Sequence, residues 1–175
     1  VSLSFKGKRL QADNLTFDKL NKEISANGNI VLIFGDQIFK ISELKYNFIS
    51  EQGYLIDVQG SISTNTLMDD LSSNFSVSDS NKIESLLKLE KKEALNTPGK
   101  INNWIFYTER ISIDGKKWKS NKAIFSNDIL QSKQVKIEIN SLEAYSLNED
   151  LRFKSSLNHL VLDDNVSIPF WFGDR

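Results

Sequence analysis

A strand figure occurs twice in the first third of the chain. The first copy sets Leu10, Ala12, Leu15, Phe17 and Asp18 ahead of Glu23, Ile24, Ala26, Gly28 and Ile30. The second sets Phe39, Ile41, Leu44, Tyr46 and Asn47 ahead of Ile56, Val58, Gly60 and Ile62. The copies align at an offset of 29, which becomes 32 after a three-residue insertion that brings Gly28 onto Gly60. Spaced repeats of this kind mark stacked units, each too small to bury its apolar face alone. A stack of strand repeats predicts an elongated β-structure whose inner face is a continuous apolar surface. A degenerate third copy is expected where Trp118, Ala123 and Phe125 align with the Leu10–Leu20 stretch at an offset of 108, setting Ala123 on Leu15 and Phe125 on Phe17.

Within the repeats the apolar period is 2. From Ile24 to Phe34 each even position is apolar or Gly, while Glu23, Ser25, Asn27 and Asn29 alternate with them. Strict alternation describes a half-buried strand. Val31 and Ile33 break the polar face, so the far end of that strand is expected to be covered on both sides. Turn signals at Lys6-Gly7-Lys8, Phe17-Asp18-Lys19, Gly35-Asp36-Gln37 and Glu51-Gln52-Gly53 separate the strands. Residues 63–100 break the pattern. They are a polar insertion, read either as loop or as a short amphipathic helix over Asp79–Leu95, closed by Pro98-Gly99. Period 2 returns over residues 101–175, with Asp114-Gly115 as a hairpin signal and clean alternation at Val135, Ile137 and Ile139.

Composition removes several function classes. The 22 basic and 23 acidic residues nearly cancel, and no basic cluster offers the several phosphate-directed cations that nucleic-acid binding needs. There is no cysteine, which excludes disulfides and thiolate metal sites. His159 is the lone histidine; Asp163, Asp164 and Ser156 lie near it in sequence, but no nucleophile motif accompanies them. Asp57 and Glu43 are the carboxylates available to a glycoside-cleaving reading, with nothing to fix their separation. A phosphate-binding Gly-rich loop is absent from the sequence. The expected function is therefore binding rather than catalysis, with no cofactor and no metal. The abrupt strand-like opening at Val1 is read as a piece cut from a longer protein.

Several stretches resemble a known family. The figure Ala12-Asp13-x-Leu15-x-Phe17-Asp18 followed by Ile24-x-Ala26-x-Gly28-Asn29-Ile30 is similar to the OstA-type repeat of the periplasmic lipopolysaccharide-transport proteins. The segment from Trp118 through Ala123, Phe125, Ser126, Asn127 and Asp128 resembles LptD-type proteins just downstream of those repeats. The closing run from Leu160 to Asn165, Val166, Ile168 and Pro169 resembles the approach to their first barrel strands. The long polar insertion resembles the cyanobacterial branch. The likeness covers residues 5–62 and 110–172; it departs from the family in lacking the cysteines that tie this domain to the barrel.

The resemblance implies an all-β, antiparallel β-taco or jelly-roll of OstA-like repeats over residues 1–62. It implies a continuation of the same fold over 101–175, leading toward a C-terminal outer-membrane barrel. Its open hydrophobic groove would hold the acyl chains of lipopolysaccharide or a related glycolipid, in the periplasm. Its partners would be that barrel and an LptA-like bridging protein joined along the edge strand around Leu3 and Phe5. The groove candidates are Ile24, Ala26, Ile30, Leu32, Phe34, Phe39, Ile41, Leu44, Tyr46, Ile56, Val58, Ile62, Phe125, Val135, Ile137 and Ile139. A closed β-sandwich serving as a structural or adhesion module shares the same alternation, so the residues alone leave both readings open. Lys116, Lys117, Lys119 and Lys122 are either solvated surface or a cationic groove rim; Trp171 and Phe172 are either an interfacial belt or edge packing.

Overall fold

Alternating Ile, Val, Leu and Phe with polar partners fits a pleated, half-buried surface, and the described residues answer with strands. The computed structural model describes residues 1–5, 8–63, 66, 103–127, 134–147 and 150–174. They form β1 (Ser2–Phe5), β2 (Lys8–Gln11), β3 (Asn14–Asp18), β4 (Glu23–Phe34), β5 (Gln37–Asn47) and β6 (Gln52–Ser63). After the insertion follow β7 (Asn103–Asp114), β8 (Lys117–Ser126), β9 (Val135–Leu147), β10 (Asp150–Leu162) and β11 (Val166–Asp174). The polar insertion, with its expected helix over Asp79–Leu95, lies almost wholly outside the described residues.

All eleven strands belong to one antiparallel sheet in the order β1-β2-β4-β5-β6-β7-β8-β9-β10-β11, with β3 also on β4. Strands β2 and β3 pair successive halves of β4, so they act as one strand interrupted at Ala12 and Asp13. The result is an up-and-down meander with β1 and β3 along one edge and β11 along the other. The expected hairpin at Asp114-Gly115 joins β7 to β8, with Gly115 at φ 59 as the turn requires. Turns on the β3–β4, β5–β6 and β7–β8 connections lie side by side at one end. There the Phe48 amide donates to the Lys22 carbonyl at 2.8 Å, and the Gly115 amide donates to the Glu51 carbonyl at 2.8 Å.

One line across the strands organises the fold. In a regular strand, inward side chains recur every second residue. Here the inward phase slips in the middle of each long strand, and the slips stand in register. Buried Ile41 is followed by buried Leu44, with Ser42 and Glu43 both exposed between them. The partner positions across the sheet are Leu55 and Val58 on β6, Thr108 and Ile111 on β7, and Ser120 and Ala123 on β8. The line continues through Ile139 and Leu142 on β9 and Ser155 and Asn158 on β10. Each gap holds two consecutive outward residues, as Glu109-Arg110, Asn121-Lys122 and Asn140-Ser141 do. The sheet is creased along this line. Its convex side carries left-handed backbone at Asn29 (φ 46), Asp57 (φ 50), Ser141 (φ 53) and Leu157 (φ 53). On β4 the crease takes one extra residue, with Gly28 at φ 75 beside Asn29, which shifts the β4–β5 register between Asn27 and Ile30.

The crease corrects two expectations. The repeat keeps its offset of 29 through the turn, because Lys22 (φ 51) and Glu51 (φ 55) occupy the same left-handed position. Ala26 then corresponds to Leu55 at that offset, and Ile30 to Val58 at 28, the difference being the extra residue in the β4 crease; no three-residue insertion exists, and Gly28 is not equivalent to Gly60. The third copy is also not equivalent. Strand β8 runs opposite to β2–β3, and its Ala123 lies across the crease from the arm that carries Leu15.

Candidate functional site: the inner face of the creased sheet

The inner face is built from rows that run across the strands. On one arm a single row passes Leu3, Leu10, Leu32, Phe39, Gly60, Phe106, Phe125, Ile137, Leu160 and Ile168, each backbone-paired with the next. On the other arm Phe17, Ile24, Tyr46, Gly53, Ile113, Trp118, Ala144 and Phe153 form its counterpart. Strand β6 contributes glycine to both rows. At Gly60 this brings Phe39 and Phe106 into edge contact across the intervening strand, with centroids 6.3 Å apart, and Phe106 meets Phe125 at 5.1 Å.

Among the apolar inner-face residues of β4 to β8, burial is deepest along the crease and lessens away from it. Ala12, Ala26, Ile30, Ile41, Val58 and Ala123 lie between 0% and 4% exposed. One row out, Leu10, Ile24 and Phe106 stay buried, while Leu32, Phe39, Tyr46, Ile113, Trp118 and Phe125 are part-exposed and pack against that core. Small residues concentrate where the two arms meet, and bulky ones stand toward the margins. On these strands the gradient follows the line of the bend. The surface so formed is mainly apolar, and each Ile, Leu or Val fully buried along the crease is worth about 1.5–3 kcal/mol.

Most predicted groove residues fall on this face. Ile24, Ala26, Ile30, Ile41, Leu44 and Val58 are buried in the core. Leu32, Phe39, Tyr46, Ile62, Phe125 and Ile139 are packed against it, and Ile137 occupies the long inner row. Ile56 is a correction. It sits between Glu43 and Arg110 on the outer side of the crease, because the phase slip turns Leu55 inward in its place. Val135 has inward phase but lies near the margin at 41% exposed. The Phe34 side chain lies outside the described residues, as do those of Trp171 and Phe172. Sequence reasoning missed Leu10, Ala12, Leu55, Phe106, Ile111, Ile113, Trp118, Ala123 and Leu142, all on the inner face.

Polar groups also enter the crease. The Thr108 and Ser120 hydroxyls share a hydrogen bond of 2.6 Å, and the one that accepts in it donates its own proton to the Lys122 carbonyl, which lies 2.8 Å from Thr108 Oγ1 and 2.9 Å from Ser120 Oγ. Asn158 Nδ2 donates to Ser155 Oγ at 2.9 Å. These groups fall in β7 to β10, whereas β2 to β6 present only Ala, Ile, Leu and Val at the crease. Their bonds serve carbonyls and hydroxyls at the bend, as buried polar groups require.

The outer face is charged and cross-linked. Lys119 and Lys117 reach Glu143 at 3.3 and 4.0 Å, Lys122 and Lys136 reach Glu138 at 3.0 and 3.1 Å, and Lys136 also pairs with Asp164. Three of the four lysines considered as a groove rim are thus outward-facing members of ion pairs. Burial alone would raise the Glu138 carboxyl, but Lys122 and Lys136 together hold it below the ordinary carboxylate range. Tyr54 donates to Glu43 at 2.6 Å with the Arg110 guanidinium 4.8 Å from its ring centroid. Among the described residues, no group of three His, Asp or Glu side chains could hold a metal, and no helix is long and apolar enough to cross a membrane.

Residues 98–174 match the model of a family described as a protein of unknown function, DUF3769, which spans less than half of the chain. No curated protein and no solved structure matches the chain.

Proposed function

We propose that this chain is the periplasmic domain of an LptD/OstA-like outer-membrane assembly protein. It receives lipopolysaccharide or a related glycolipid, shelters the acyl chains in the creased sheet and passes the molecule to a β-barrel. The observation that carries this reading is the apolar row that runs from Leu10 to Leu160 across eight strands beside a buried crease. Moving hydrocarbon out of water is worth about 0.8 kcal/mol per methylene, so an acyl chain needs an escort through an aqueous gap. Rows of part-exposed Leu, Phe and Ile supply that shelter evenly along the sheet, without the single deep site that would arrest onward movement. The polar outer face keeps the same sheet in water. The edge strand β1 offers unpaired backbone for continuation by an LptA-like bridging protein.

Site-specific photocrosslinking tests the reading. A photoreactive residue at Phe39 or Ile137 is expected to label an acylated glycolipid, and one at Asn27, exposed on the outer face, is expected to remain unlabelled. Equal labelling at inner and outer positions would overturn the conduit.

A further inference from the structure

The two repeats end in matching turns, and both turns hold a large aliphatic side chain out in water. Asp18 Oδ1 accepts from the amides of Leu20 and Asn21 at 2.8 and 3.1 Å. Asn47 Oδ1 accepts from the amides of Ile49 and Ser50 at 2.9 and 3.0 Å. These side chain-to-backbone turns fix each tip. The tips are also tied to each other, since Asn47 Nδ2 donates to the Asn21 carbonyl at 3.0 Å and the Phe48 amide to the Lys22 carbonyl at 2.8 Å. On this fixed base Leu20 is 91% exposed, Ile49 71% and Phe48 50%. Phe48 is braced edge-on by Phe17 and Tyr46, with centroids 6.1 and 5.1 Å away.

We propose that this end of the molecule docks on a phospholipid bilayer, with Leu20, Ile49 and Phe48 entering the interface. Three features favour a lipid surface over a protein partner. The apolar groups stand on turn tips, which give little of the roughly 1,200–2,000 Å² that a stable protein interface buries, whereas a fluid interface closes around a point. Lys19 and Lys22 flank Leu20 and are exposed, placed to keep their ammonium groups among the headgroups while the aliphatic tip goes deeper. The acids of the two tips, Asp18 and Glu51, are matched in number by Lys19 and Lys22. The third feature is orientation. Strand β11 runs with its Asp174 end toward these turns, since Asp174 pairs Lys154 while Val166 pairs Leu162 at the far end. On the function proposed above, a strand leading into a membrane barrel would point this same end at the bilayer; that clause alone rests on the earlier reading.

Flotation of the chain with vesicles of phosphatidylethanolamine and phosphatidylglycerol tests the inference. The parent chain is expected to float, and the double variant Leu20→Ser with Ile49→Ser to lose at least about tenfold in vesicle partitioning. Both side chains are exposed, so the unfolding midpoint should hold. The chain has no cysteine, so Leu20→Cys carrying an environment-sensitive dye is a second readout. Its emission should shift to the blue on adding vesicles, while the same dye at Asn27→Cys should not respond. Failure of the parent chain to float, flotation unchanged in the double variant, or loss in that variant of self-association instead of flotation would each overturn the proposal. Acyl photolabelling from Ile137 is expected to survive in the double variant, which separates this test from that of the conduit.

Discussion

Gly60 leaves no room for a methyl group beside Phe39. An ideal Cβ on Gly60 would sit 2.6 Å from the Ile38 carbonyl oxygen, and the Phe39 ring lies closer still. Because the obstruction includes backbone, side-chain rearrangement cannot relieve it. The Gly60→Ala substitution is therefore expected to force β5 and β6 apart and to cost about 1–3 kcal/mol. Urea denaturation reads this as a lower midpoint with an unchanged slope. A midpoint equal to that of the parent would mean that the Phe39–Gly60–Phe106 row is not packed as described.

Crease and margin should respond differently to mutation. Ile30 is 1% exposed at the crease, so Ile30→Ala is expected to cost about 2–5 kcal/mol by removing buried methyls and leaving a cavity. Ile137 is part-exposed on the long row, so Ile137→Ser should cost far less stability. It should instead reduce acyl-chain labelling from a probe at Phe39. Paired denaturation and crosslinking measurements check the contrast. If Ile137→Ser destabilised as much as Ile30→Ala, the inner face would be a filled core rather than the acyl-chain groove proposed above.

The all-β class, the two-fold repeat and the apolar inner face were legible from period-2 alternation, because one face of each strand is buried. The crease was not, although its signal stands in the sequence. Pairs of consecutive polar residues interrupt the alternation at Ser42-Glu43, Glu109-Arg110, Asn121-Lys122 and Asn140-Ser141. Read as strand ends or noise, such pairs hide a phase slip. Followed through, they turn Leu55 inward and Ile56 outward, and they recruit Ile111, Ala123 and Leu142 to the inner face. Strand direction was the other loss. Apolar spacing reads alike in both senses along an antiparallel strand, which is why β8 aligned with β2–β3 although it runs the opposite way.

Leu157 holds left-handed backbone at φ 53 while 57% exposed on the convex crease. A branched side chain pays a steric penalty there that Asn largely avoids. The Leu157→Asn variant is expected to gain about 1 kcal/mol, because little apolar burial is given up in exchange. Its backbone carbonyl accepts from Asn140 Nδ2 at 2.8 Å, and that bond should persist. Thermal unfolding supplies the check; a lower melting temperature would show that Leu157 contributes packing that outweighs the strain.

Glu138 makes the acid limb of stability predictable. Burial opposes its ionisation, yet hydrogen bonds and charge from Lys122 and Lys136 leave its folded pKa below the ordinary 4.5. A carboxyl whose folded pKa is depressed adds stability that is fully present above its unfolded pKa and is lost as pH falls through the folded value. Lys136 works in the opposite sense. Its hydrogen bond to Asp164 raises its pKa above 10.5, against the pull of burial and with help from Glu138. Its contribution is present below the unfolded value and fades as pH rises through the folded one. Between these limits the Lys122–Glu138–Lys136–Asp164 chain ties β8, β9 and the β10–β11 turn together on the outer face. Replacing Glu138 with Gln is expected to flatten the decline in stability below about pH 4.5, and to lower stability at neutral pH by leaving Lys122 and Lys136 without their shared partner. Chemical denaturation from pH 3 to pH 7 measures both effects in one series. An acid limb equally steep in the parent and in Glu138→Gln would place the titrating carboxylate elsewhere and remove this network from the account of stability.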